Sequence, residues 1–77
     1  MNVLRVGHNG EIRIRVIRQG RGDYAVALNR VDSTPVAIVW TTPRKESALT
    51  VWEFLRKVKP ILLGEMIDER RREIEAE

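Results

Sequence analysis

The sequence has no cysteine, so it can hold neither a disulfide nor a thiolate zinc site, and nothing in it speaks for an oxidising compartment. It has one histidine, His8, in the turn-forming stretch Gly7-His8-Asn9-Gly10. A single imidazole cannot assemble a metal centre, and it reads as an exposed turn residue. Long apolar runs are missing too. Ala37 to Trp40 and Ile61 to Leu63 fall far short of the roughly 20 residues a membrane helix needs, and the amino terminus has no signal-peptide core. The expectation is a soluble, unprocessed, cytoplasmic protein without membrane contact. Ser33, Ser47 and the threonines lack a histidine base, and no two carboxylates fall together on an apolar-walled surface, so nucleophilic and acid/base catalysis have no candidate residues. Gly20 and Gly22 lack the Gly-Lys-Ser/Thr ending of a phosphate loop. The Arg21-Gly22-Asp23 tripeptide is ordinary hairpin chemistry. The sequence therefore points to a non-enzyme with no catalytic residue, cofactor or metal.

What is present is a globular composition, 43% hydrophobic and 32% charged in 77 residues, enough for one small domain. At this length only about 60% of the unfolded surface is hidden on folding, so the core must be thin. Charge is unevenly spread: residues 1–64 carry +6 and residues 65–77 carry −3. Every cation before residue 43 is an arginine: Arg5, Arg13, Arg15, Arg18, Arg21 and Arg30. Guanidinium forks suit phosphates, carboxylates and base edges, which points to nucleic acid or an acidic protein surface as partner.

The first two thirds read as strands. Asn9-Gly10 offers the positive φ angles of a tight hairpin between Asn2–Val6 and Glu11–Arg18. In the second strand Ile12, Ile14 and Val16 alternate with Arg13, Arg15 and Ile17. After the Gly20–Asp23 turn, Tyr24, Val26 and Leu28 alternate with Ala25, Ala27 and Asn29. Asp32-Ser33-Thr34-Pro35 forms a further turn. In the last strand Val36, Ile38 and Trp40 are expected inside, with Ala37, Val39 and Thr41 outside. Thr42 as N-cap and Pro43 at the first helical position then open a helix over 43–59, with Ala48, Val51, Trp52, Leu55 and Val58 as its buried stripe. Pro60 breaks it. A second helix fills 60–77, with Leu62 or Leu63, Met66, Ile67 and Ile74 inward and with Asp68–Arg72 and Arg71–Glu75 at ion-pair spacing.

The expected fold is α+β, a three- or four-stranded antiparallel meander covered on one face by an amphipathic helix, then a second charged helix. Trp40 and Trp52 should meet in the core rather than stack nucleobases. The outer sheet face would present Arg13, Arg15, Ile17, Ala25, Ala27, Asn29, Ala37 and Val39, flat, small-sided and edged with arginine. This layout over residues 11–59 resembles the AP2 and integrase arm-binding DNA modules, which read the major groove with the sheet. The resemblance implies Arg13 and Arg15 as matching positions, with Arg30 and Lys45 as further candidates. The glycine and aromatic signatures of those families are missing. In size and element order the chain is also similar to small phage-encoded inhibitors, including some anti-CRISPR proteins.

The leading functional expectation is DNA binding through Arg13, Arg15, Arg18, Arg21, Arg30 and Lys45, in a regulatory, phage or mobile-element setting. The alternative is a protein-binding module, an inhibitor or adaptor of a host protein, or a homodimer formed through the outer sheet face or the Val36–Trp40 edge.

Overall fold

The computed structural model describes residues 2–32 and 36–76, with side chains as far as residue 73. Four strands, β1 (Asn2–Asn9), β2 (Ile12–Gln19), β3 (Asp23–Arg30) and β4 (Ala37–Thr42), precede α1 (Lys45–Lys57) and α2 (Pro60–Ala76). The strands lie in sequence order in one antiparallel sheet, the four-stranded form of the expected meander.

Glycines set the two tight hairpins. Asn9 pairs with Ile12, so the β1–β2 loop is Gly10-Glu11, one residue later than the sequence suggested. Only Gly10 takes a positive φ, 63°, which is the pattern of a turn with glycine at its first central position. Asn9 is thereby released for another task. Its side-chain amide donates to the carbonyls of Leu55 (3.0 Å) and Val58 (2.6 Å), tying β1 to the last turn of α1. The β2–β3 connection, Gly20-Arg21-Gly22, uses positive φ at both glycines.

The alternation of β2 and β3 sorts side chains as expected. Ile12, Ile14, Val16, Val26 and Leu28 form one buried cluster with Ala48, Trp52 and Leu55 of α1 and Leu63 and Ile67 of α2. Both helices thus cover the same sheet face. Each such buried branched or aromatic side chain contributes roughly 1.5–3 kcal/mol, and this single layer pair holds the molecule. Trp52 anchors it: its indole N–H donates to the Ile14 carbonyl at 3.0 Å, deep in the core. Gly7 of β1 lies against the ring, where a Cβ would stand 2.7 Å from Trp52 Cζ2.

In β4 the expected alternation fails. A bulge between the Val26 and Ala27 pairings leaves Val39 as an extra residue, so Trp40 pairs with Val26 while Ile38 pairs with Ala27. Such an insertion changes which residues face the core. Ala37 and Val39 pack on the main core, and Ile38 packs on the other face. The expected inner set of Val36, Ile38 and Trp40 is corrected accordingly. Trp40 is 50% exposed and does not meet Trp52. The 33–35 part of the expected turn lies outside the described residues.

α1 begins at Lys45, two residues later than expected, because Thr42 and Pro43 are used to leave the sheet. Arg44 is the N-cap residue and supplies no side-chain cap. The Thr42 hydroxyl instead accepts from the Arg44 N–H at 3.2 Å. Pro60 starts α2 after a two-residue break. Leu63 and Ile67 are buried while Leu62 is exposed, which settles the inward stripe; the side chains of Ile74 and Glu75 lie outside the described set. Among the described residues no helix is long and apolar enough to cross a membrane.

Candidate nucleic-acid interface

No helix covers the second face of the sheet, and strand register assigns its occupants. Val3, Ile17, Ala25 and Thr41 form one cross-strand row; Val6, Arg15, Ala27 and Ile38 form the next; His8, Arg13 and Asn29 form the third. These three rows grade from apolar to cationic and hold no carboxylate; beyond the apolar row Gln19 pairs with Asp23, which puts one acid at the end of the face remote from Arg13.

Ile17, Ala25 and Ala27 are buried in a small second cluster against which Ile38 packs. The alanines are fully covered, so the surface a partner would meet is not the bare, small-sided plane expected from sequence. It is built from the side chains lying over the alanines. Ile38 belongs to it, whereas Ala37 and Val39 face the helices. Arg15 lies opposite Ala27, half-buried, and its Nε is sequestered without a hydrogen-bond partner among the described residues. Asn29, 6% exposed, donates from its amide to the Arg30 carbonyl at 3.0 Å, but its Oδ1 is buried and unpartnered. Leaving such groups unsatisfied costs about 1–3 kcal/mol each.

The cations divide by face. On the helix-covered side Arg5 and Arg56 both lie over the Trp52 ring, their guanidinium carbons 5.0 and 4.8 Å from its centroid, and both lie near Glu53 at 3.8 and 3.9 Å. Arg30 forms a fork with Asp68 of α2 at 3.1 and 3.2 Å and reaches the Gly64 carbonyl at 3.4 Å. The Arg30 hydrogen bonds hold the Asp68 carboxyl below the usual aspartate range, with the charges of Arg30, Arg72 and Arg71 adding to the effect. Asp68 is thus engaged chiefly with Arg30 rather than with the expected Arg72. Arg13 and Arg15, by contrast, make no ion pair among the described residues.

The six residues singled out from sequence therefore do not form one group. Arg13 and Arg15 share the open face. Arg18, at the end of β2, and Arg21, in the β2–β3 turn, lie at one end of the sheet. The pairing of Tyr24 with both Arg18 and Thr42 brings Arg44 and Lys45 to that same end. Arg30 is on the opposite face, occupied by Asp68. Sequence reading missed His8, which is no turn residue but sits in β1 directly opposite Arg13. The hairpin register carried that signal, since pairing Asn9 with Ile12 forces His8 onto Arg13.

The fold defined by these observations is an α+β domain with a four-stranded antiparallel meander, two helices on one face and the other face open. No protein-family model matches the chain, nor does any curated protein or solved structure.

Proposed function

We propose that the chain is a nucleic-acid-binding protein that contacts duplex DNA with the open sheet face, and that it acts by binding rather than catalysis. The observation that carries this reading is the pair Arg13 and Arg15, which make no ion pair among the described residues and lie in cross-strand rows without a carboxylate, Asp23 being the acid at the far end of the face. On the helix-covered side, by contrast, Arg5, Arg30 and Arg56 are each close to an acid. A guanidinium without a carboxylate partner gains from an anionic acceptor, because charge-assisted hydrogen bonds are about twice as strong as neutral ones. The DNA major groove, about 12 Å wide, admits two strands, and β2 with its neighbour β3 would present Arg13 and Arg15 to it. Arg18, Arg21, Arg44 and Lys45 at the sheet end would meet the flanking backbone.

Fluorescence anisotropy of a random-sequence duplex of roughly two helical turns tests this across a salt series. Binding should weaken log-linearly with salt, and Arg13→Ala/Arg15→Ala should lower the slope by roughly 2 and weaken affinity at every salt concentration. Arg30→Ala, which removes a cation already held by Asp68, should leave the slope unchanged. Absence of binding at low salt would overturn the reading and direct the search to an acidic protein surface.

A further inference from the structure

The sheet has two edges, and the β4 edge carries an unusual combination of features. Trp40 and Val36 are 50% and 46% exposed there. Beside them runs an open groove between β4 and α2, lined by Val39, Met66, Glu69, Arg70 and Glu73. The position of α2 explains why this groove faces outward. At about 100° per residue, Leu63 and Ile67 point down into the core, Gly64 and Asp68 lie on one flank, and Met66, Glu69, Arg70 and Glu73 lie on the other. The first flank meets Arg30 of β3, so the second overhangs the free edge beyond β4.

We propose that this edge is a dimer interface occupied by a second copy of the chain, related by a two-fold axis that sets the two α2 helices antiparallel over the adjoining β4 strands. The flank carries two acids and one base, and its adjacent Glu69 and Arg70 favour a second copy over an unrelated partner because a two-fold axis between them pairs each with the other. Arg70 is held only by an exposed contact to Glu73 at 3.4 Å, while neighbouring Glu69 has no ion-pair partner among the described residues. Antiparallel apposition of two such helices brings each Arg70 to the other copy's Glu69 and closes the arrangement on itself. Trp40, Val39 and Met66 supply the apolar centre, with a large aromatic as anchor. The bulge at Val39 interrupts the strand edge, so the contact is carried by side chains and helix packing rather than by a long β ladder. Two copies joined in this way would also double the number of Arg13 and Arg15 side chains available to one duplex.

Sedimentation equilibrium without nucleic acid, over a concentration series, reads the association directly. The wild-type chain should approach twice its 8.9 kDa mass as concentration rises. Arg70→Glu should shift dimerisation to at least tenfold higher concentration, and Glu69→Arg/Arg70→Glu, which restores opposite charges across the axis, should recover it. That recovery separates a lost interface from a lost fold. A wild-type chain that stays at monomer mass throughout would overturn the proposal, as would a dimer indifferent to Arg70→Glu. Arg13→Ala/Arg15→Ala should dimerise normally, so the outcome is independent of whether the open face binds DNA.

Discussion

Single side chains on the helix-covered face are held by several partners at once, and the consequences are sharpest at Trp52 and Asp68. Trp52 is fixed by its hydrogen bond to Ile14 and by guanidinium groups packed on its ring, so it has little freedom to yield to a methyl group on Gly7. Gly7→Ala should therefore destabilise the protein by about 1–3 kcal/mol, the usual cost of overpacking, measured by urea unfolding. Asp68 gives a pH signature. Its carboxyl is held below its ordinary value by Arg30, so its contribution to stability is present above the unfolded pKa of about 3.9 and is lost as pH falls through the lower folded value. Wild type should be more stable than Asp68→Asn at neutral pH, and the difference should vanish at the acid end of the series. At this scale the sequence was informative where strand parity governs, as for Arg13, Arg15 and Asn29. Arg30 shares the parity of Leu28 and so belonged with the core side. Its arginine identity alone could not reveal that a carboxylate 38 residues away would engage it.

Among the elements, α1 has unequal ends. Its last turn is closed from outside by Asn9, and losing those two hydrogen bonds in Asn9→Ala should cost about 1–3 kcal/mol and speed amide exchange at the α1 carboxyl end. Its first turn has no side-chain cap, and a cation, Arg44, stands where the helix dipole favours an anion. Arg44→Asp should raise stability by about 1 kcal/mol, read as a higher Tm, while weakening DNA binding if the sheet-end cations touch phosphate. The strands, the break at Pro60 and the buried stripe of α1 were legible from periodicity. The β4 bulge was not. Ala37 to Trp40 is apolar on both parities, so the run fits either register, and the choice is made by packing of Ala37 and Val39 under the helices rather than by any local signal. Thr42 and Pro43 carried a helix-start signal that the sheet used for its exit instead.

For the molecule as a whole, one layer of helices leaves one sheet face open, and the division of charge follows that asymmetry. Acidic groups of α1 and α2 meet the arginines on their own side, Arg5 with Glu53 and Arg30 with Asp68, and among the described residues none pairs with Arg13 or Arg15. The uneven charge along the sequence foreshadowed this separation, since the acidic stretch coincides with α2. The central claim is that the open face receives the nucleic acid. Its most direct test is an NMR titration of the isotopically labelled chain with a short DNA duplex, following the arginine Nε–H resonances at low salt. The account predicts that the signals of Arg13 and Arg15 shift first and furthest, while those of Arg5, Arg30 and Arg56 stay in place. Shifts concentrated on the helix-side arginines, with Arg13 and Arg15 unmoved, would contradict it.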